Sequence, residues 1–370
     1  MIYLDHAATS FPKPAAVLDA VRHWFEDLGV SADRGDSRRC AEVARGVRAA
    51  RRGLARLTGF PEHRIAFGSG ATELGNLFLR AFLRPGDRVL TTAFEHSSIA
   101  RPLVALRRSL GLQISILRPD ERGRIGSDAV RDALRATRPR LFAVTHASNV
   151  TGAVLDAAAF AALAREAGAV LLLDASQTAG LLDLDVGADA MIASCHKALL
   201  APPGLGFLAA REGLDLEPQK QGGTGGSRAL EEHPREWPLA FEAGTPNTPA
   251  ILGLGAALRF LEQDPPRARL ERSLTALDEL ALPLRANSRV RVFCCESQRV
   301  PVLSFVRDDL DPAEIGALCD AAGVHVRSGF HCAPWIHEYL GTRATGTVRI
   351  SPGPDLSAAD IRRAADVLAT

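Results

Sequence analysis

The tetrapeptide Ser194-Cys195-His196-Lys197 holds the residues of this chain best suited to covalent chemistry. It follows a short apolar run, Ala190 to Ala193, and precedes a Pro/Gly turn and a second apolar run, Phe207 to Ala209. That pattern places the lysine at a strand-to-loop edge, where backbone groups and the neighbouring serine and histidine face a cleft. An amine so placed can condense with a carbonyl group and then move a proton. In isolation the same four residues read more readily as a solvated loop, because short motifs recur by chance. Partners elsewhere in the chain decide between the two.

Several residues qualify as partners. Asp174 ends the apolar run Val170-Leu171-Leu172-Leu173 and is either a buried anion or the cap of a following helix. His96, in Phe94-Glu95-His96-Ser97-Ser98, is a polar loop residue or a proton relay. The turn Gly68-Ser69-Gly70-Ala71-Thr72-Glu73 opens a helix, whose free amides and dipole suit a phosphate. It has neither a Walker ending nor dinucleotide-type glycine spacing. Asn149, Gln177 and Thr245 stand in polar segments and read alone as turn residues. Cys332, in Arg327-Ser328-Gly329-Phe330-His331-Cys332-Ala333-Pro334, is a small core cysteine or a nucleophile. As a nucleophile it must ionise, since a free thiol near pKa ~8.5 is only partly thiolate at neutral pH. His331 beside it and the Gly329 turn are candidates for positive field and reach. Arg349, in the strand-like Thr347-Val348-Arg349-Ile350-Ser351, is a surface residue or a fork for a carboxylate.

These residues need a scaffold that brings them together. From Arg64 the chain repeats strand, polar loop and helix: strands at 65–67, 88–92, 141–145 and 170–174, with helices to about Phe82, over Ala100 to Leu110 and near Ala157 to Ala167. Apolar strands separated by helical crossovers predict a mostly parallel α/β sheet with helices on both faces. Open sheets of that kind bind ligands at the carboxyl ends of their strands, which is where every polar cluster falls. Upstream, helices are expected over Ala15 to Leu28 and Ala41 to Leu57, with a polar loop at Gly29 to Arg39. Downstream, a second polar loop at Gly222 to Arg228 precedes a long helix, Ile251 to Glu262, and another over Arg267 to Asp278. Short strands (Val290 to Phe293, Pro301 to Phe305) then alternate with helices (Pro312 to Ala322, Ala358 to Leu368), as in a smaller α+β domain. The expected division is a large domain over 15–255 and a small one formed by 1–14 and 256–370, the two packing as one unit.

With 44 Lys and Arg against 43 Asp and Glu, the net charge of +1 offers no bulk attraction to nucleic acid or an anionic membrane. No run of about eighteen apolar residues and no leader-like N-terminus is evident, so a cytoplasmic enzyme is expected. The six cysteines form no CxxC pair, which argues for reduced thiols rather than a disulfide framework or zinc ribbon.

Eight segments in order resemble the class V aminotransferase family of fold-type I pyridoxal phosphate enzymes, and within it the cysteine desulfurase and selenocysteine lyase branch. They are Tyr3 to Thr9, Gly68 to Glu73, Glu95 to Ser98, Ser148 to Gly152, Asp174 to Thr178, Ser194 to Lys197, Glu242 to Thr248, and Arg327 to Pro334. The resemblance implies that Lys197 forms a Schiff base with pyridoxal 5'-phosphate and then acts as a base. It implies that Asp174 pairs with the pyridinium nitrogen and that His96 stacks on the ring. Ala71, Thr72, Ser194 and His196 would bind the phosphate, and Thr245 would reach the phosphate of a neighbouring subunit in a homodimer. Asn149 and Gln177 would meet the 3' oxygen, and Asn149 and Arg349 the substrate carboxylate.

Cys332 matches the cysteine that takes sulfur from L-cysteine as a persulfide, releasing L-alanine. The short connection from Cys332 to Arg349 is similar to the group with a compact cysteine loop, which often uses a sulfur-acceptor protein. Other class V reactions on related amino acids (selenocysteine lyase, C–S lyase, epimerase, aminotransferase) and an inert scaffold relative are the alternatives. Two segments depart from the pattern: Arg34-Gly35-Asp36-Ser37 stands where family members read ArgGlyxHis, and Ser351-Pro352-Gly353-Pro354 replaces an asparagine-containing turn.

Overall fold

The computed structural model of the protein describes residues 1–32, 35–225 and 231–369. Arg34 of the first polar loop and residues 226–228 of the second lie outside the described residues. The chain begins with β1 (Ile2–Tyr3), α1 (Ala15–His23), one π turn over Trp24–Leu28, and α2 (Arg38–Thr58). Val43, Val47, Ala50 and Leu54 form the buried stripe of α2, while Arg45, Arg48 and Arg52 face solvent at helical spacing. Ser37 caps this helix, its Oγ accepting from the Cys40 amide at 3.2 Å, and Gly59 closes it in the left-handed conformation.

Strand and helix then alternate: β2 (Ile65–Gly68), α3 (Ala71–Phe82), β3 (Arg88–Thr92), α4 (Ser97–Leu110), β4 (Gln113–Leu117), α5 (Ser127–Thr137), β5 (Leu141–Thr145), α6 (Ala157–Glu166), β6 (Val170–Asp174), β7 (Ala190–Ser194) and β8 (Gly206–Ala210). They build a seven-stranded sheet in the order β2-β8-β7-β6-β5-β3-β4, in which only β8 runs against its neighbours. Alternate side chains feed two cores. Phe142, Leu171, Leu173, Met191 and Phe207 pack on one face; Leu141, Leu172, Ile192 and Leu208 pack on the other. Helices thus cover both faces, as the apolar strands require. The segment 113–137 was not anticipated as strand and helix. β4 is an edge strand with partly exposed residues, so it lacks the continuous apolar run of its neighbours.

The remainder comprises α7 (Thr248–Gln263), α8 (Pro266–Ala286), β9 (Val290–Phe293), β10 (Leu303–Arg307), α9 (Pro312–Ala321), β11 (Val324–His325), β12 (Arg327–Gly329), α10 (Ile336–Tyr339), β13 (Thr347–Ile350) and α11 (Ala358–Ala369). Helix α8 runs past the expected stop at Asp278 and through Pro283. Burial of Leu277, Leu280, Ala281 and Leu284 on one face outweighs the lost proline amide. The antiparallel sheet β12-β13-β10-β9 shares a third core with α8 and α11, including Leu277, Leu303, Phe305, Val348, Ile350 and Leu368.

Ile2 and Leu4 belong to this third core, because β1 pairs in parallel with β11. The N-terminal segment therefore runs beside β13, where Asp5 bridges Ser351, and on to the loop after β7, where the Ser10 amide donates to His196 O at 3.1 Å. Among the described residues, no helix is long and apolar enough to cross a membrane.

Candidate active site

At the carboxyl ends of β2, β3, β5, β6 and β7, a small cavity is lined by Ala71, Thr72, His96, Asn149, Asp174, Gln177, Ser194 and Lys197, among others. The topology explains the convergence. Parallel strands end on one edge of the sheet, and the loops after them are where the helical crossovers begin.

Lys197 is partly buried, and burial is the main cause that lowers its pKa to about 8. Asp174 opposes that shift, whereas Arg349 and Arg327 add to it. Asp174 is buried; one oxygen accepts from the Ser176 amide at 2.9 Å, and the other stands 3.5 Å from Ser98 Oγ. It is therefore both a local turn cap and an anion facing the cavity.

His96 caps α4. Its Nδ1 accepts from the Ser98 amide at 3.1 Å, which leaves the proton of the neutral ring on Nε2. Burial first, and then Lys197, lower its pKa to about 4. Behind it, fully buried Glu95 accepts from Thr92 Oγ1 at 2.7 Å and from the Thr145 amide at 2.9 Å, joining the ends of β3 and β5. Burial raises its pKa to about 8, so it is a neutral structural carboxyl at pH 7.

The corner before α3 is built from backbone amides and serine hydroxyls. The Ala71 amide donates to Ser194 Oγ at 3.1 Å, and the Ser194 amide donates to Ser176 Oγ at 3.2 Å. A Cβ on Gly206 would lie 2.6 Å from Gly70 Cα, so glycine alone lets β8 pass this close beneath the turn. His196 Nδ1 is buried without a partner among the described residues, and burial lowers its ring pKa to about 4. Thr245 is exposed and does not line the Lys197 cavity; it sits in a neighbouring groove with Lys220 and Glu73. Cys195 is fully buried, and burial pushes its thiol well above the usual range.

The second half of the site comes from β12, β13 and the turn between them. Arg349 is buried; it pairs with Asp5 at 2.5 Å and donates to Asn149 O at 3.1 Å, while its Nε has no partner among the described residues. Arg327 is its cross-strand partner in the β12–β13 register, so two guanidinium groups stand on adjacent strands. The Asn149 side chain donates to His331 O at 2.6 Å, and Gln177 Nε2 donates to Ala7 O at 3.0 Å. Cys332 is exposed, and its carbonyl accepts from the Ser97 amide at 2.7 Å. It lies close enough to Lys197 and Arg349 to act on the charge of both.

His331 corrects the expectation of a positive neighbour for Cys332. It is buried, with Nε2 at 2.8 Å from Thr347 Oγ1. Burial, aided by Arg349 and His337, lowers its pKa to about 2, so its ring is neutral. Positive field at this site comes from the arginines and Lys197. Ser37, which stands where the family has histidine, is a helix cap and lines none of this cavity.

Three features were not read from sequence. Asp5 completes the ion pair with Arg349, and Arg327 joins the field of the site. Ser10 and Lys13 clamp the lysine loop: Ser10 Oγ donates to Lys197 O at 2.9 Å, and Lys13 Nζ donates to His196 O at 2.6 Å. The segment Tyr3 to Thr9, one of the eight that resemble the family, holds Asp5 and is the available signal for the first of these.

Known proteins share this arrangement of chain. A protein named probable cysteine desulfurase from Methanothermobacter thermautotrophicus is 31% identical over 360 residues, covering 95% of this chain and 89% of that one. A Vibrio cholerae protein of the same name is 31% identical, covering 98% and 91%. The apo structure of cysteine desulfurase from Thermococcus onnurineus NA1 superposes with a TM-score of 0.92 at 27% identity, covering 100% of this chain and 94% of that one. The family model for aminotransferase class-V matches residues 2–363, and the chain belongs to that family.

Proposed function

We propose that this protein is a pyridoxal phosphate-dependent cysteine desulfurase that converts L-cysteine to L-alanine and leaves the sulfur on Cys332 as a persulfide. The observation that carries the reading is that an amine of lowered pKa has a buried arginine, Arg349, and an exposed thiol, Cys332, close enough to act on its charge. The names of the relatives support the same activity.

The residues present fit the cofactor. Asp174 offers an anion beside Lys197, the Ala71 turn and Ser194 offer an amide-lined corner, and the orphaned His196 Nδ1 marks unspent polar capacity. Bound there, pyridoxal phosphate supplies the electron sink that lets the substrate Cα give up a proton.

Lys197 would hold the cofactor covalently and, once released as an amine whose pKa burial lowers to about 8, could take and return that proton. Asp174 would pair with the ring nitrogen and keep it protonated, and neutral His96 would stack on the ring and could pass a proton from Nε2. Ala71, Thr72, Ser194 and His196 would hold the phosphate, Thr245 would reach the phosphate of a second copy of the chain, and Asn149 and Gln177 would meet the 3' oxygen. Arg349, assisted by Asn149, holds the substrate carboxylate through the donor that Asp5 and Asn149 O leave free. The Cys332 thiolate attacks the substrate sulfur. The Cβ–S bond breaks with its electron pair on carbon, which is protonated, and the sulfur stays bonded to Cys332.

A cytoplasmic homodimer handing sulfur to an acceptor protein belongs to this reading. So does a division into a large cofactor domain (15–255) and a small one (1–14 and 256–370). The third core, which unites Ile2 and Leu4 with residues after 275, supports that division. Leu258 and Leu261 pack in the main core and favour a seam at the end of α7.

The test is to incubate cofactor-loaded protein with L-cysteine and quantify alanine and sulfide, with selenocysteine and cystathionine as comparators. Absence of alanine, or unchanged turnover in Cys332→Ala, overturns the proposal.

A further inference from the structure

The turn that presents Cys332 is held in an unfavourable conformation. His331 and Cys332 are consecutive non-glycine residues with φ of 49° and 55°, in the left-handed region. Residues with a side chain seldom adopt that region, and it persists only where the surroundings enforce it. Here each carbonyl of the turn is held by a donor from outside it. His331 O accepts from Asn149 Nδ2 at 2.6 Å, and Cys332 O accepts from the Ser97 amide at 2.7 Å. Phe330 O accepts from His337 Nε2 at 3.0 Å, in addition to the Ala333 amide at 2.9 Å within the turn.

His337 is built for this one bond. It is buried at the start of α10, and its ring stands edge-on to Phe330 at 5.4 Å and 85°. Burial lowers its pKa, so the ring is neutral and carries one proton. A carbonyl can only accept, so that proton is on Nε2; Nδ1 then accepts from Thr342 Oγ1 at 2.8 Å, which fixes the tautomer. The Thr342 amide in turn donates to His337 O at 2.9 Å, closing the unit.

We propose that His337 is a positioning residue for the reaction at Cys332: through Phe330 O it holds the left-handed turn that aims the thiol at the cavity. This inference rests on the reading of Cys332 as the sulfur-accepting nucleophile. Misplacing a nucleophile by about 1 Å costs up to ~100-fold in rate.

The experiment compares H337L, H337Q and T342V in the cofactor-loaded protein, with cofactor absorbance and circular dichroism as checks on folding. H337L lowers kcat for alanine formation about 10- to 100-fold with KM nearly unchanged, because Arg349 and the cofactor residues are untouched. H337Q, whose side-chain amide can place a donor where Nε2 stood, restores most of the rate, and T342V falls between. A second readout needs no turnover: alkylation of Cys332 by a maleimide, followed by peptide mapping, speeds up several-fold in H337L and not in H337Q. Wild-type kcat in H337L, or an equal loss in H337L and H337Q, overturns the proposal. If the unaltered protein makes no alanine, the desulfurase reading fails, and the alkylation series still decides whether His337 positions the thiol.

Discussion

Replacing Lys197 with methionine should make the cofactor-free protein more stable, although it removes the residue on which the proposed chemistry depends. Burial lowers the Lys197 pKa from 10.5 to about 8, so the fold disfavours its charged form. The sign follows from which state binds more protons. Below the folded pKa the amine is charged in both states, and the folded state bears the full penalty. As pH rises from about 8 toward 10.5 the folded amine loses its proton before the unfolded one, and stability increases. A depression of about 2.5 units corresponds to about 3 kcal/mol at pH 7 and about 2 kcal/mol at pH 9. Methionine keeps the apolar stem and removes the charge.

The assay is urea unfolding of both apoproteins at pH 7 and pH 9. Lys13, whose pKa burial also lowers to about 8, stabilises both proteins with rising pH, so the difference between them isolates Lys197. The expected gain from Lys197→Met is about 3 kcal/mol at pH 7, shrinking by about 1 kcal/mol at pH 9. A variant no more stable than the parent at pH 7, or a difference that widens with pH, would refute the account of a desolvated cation.

Cys332→Ala should lower alanine formation at least ~1000-fold while the absorbance of the lysine-bound cofactor persists, as a spectrum and an amino-acid assay on one sample will show. Arg349→Lys keeps the charge opposite Asp5 but loses the fork, so KM for L-cysteine should rise about 10- to 100-fold, a change that steady-state kinetics would register. Gly206→Ala drives a methyl group into Gly70 and should cost about 1–3 kcal/mol, with a weaker pyridoxal phosphate affinity by equilibrium titration. An unchanged affinity would mean that the turn before α3 does not carry the phosphate.

Much of this protein is legible in its residues. Apolar runs ending in Asp174 and Ser194, and the polar cluster after β3 that holds His96, predict a parallel sheet whose loops share one edge, because strand burial and helix periodicity are local properties. The same locality placed α3, α6, α9 and α11 close to where they lie. It failed at β4, whose edge position leaves a mixed pattern, and at α8, where packing of Leu280 and Leu284 carries the helix through Pro283.

The sequence by itself determined the sheet, the edge on which its polar loops gather, and the chemical types available there: an amine, a carboxylate, an imidazole, a thiol and a guanidinium. Tertiary structure decided how those groups are charged and held. Asp5 meets Arg349 across 344 residues because β1 pairs with β11, and Ser10 reaches the Lys197 carbonyl across 187. His331 looks like a cation beside Cys332 in sequence, yet burial against Thr347 makes it neutral. Which groups surround a residue sets its solvation, and solvation sets its charge. Neighbours along the chain do not supply that information; long-range strand pairing does.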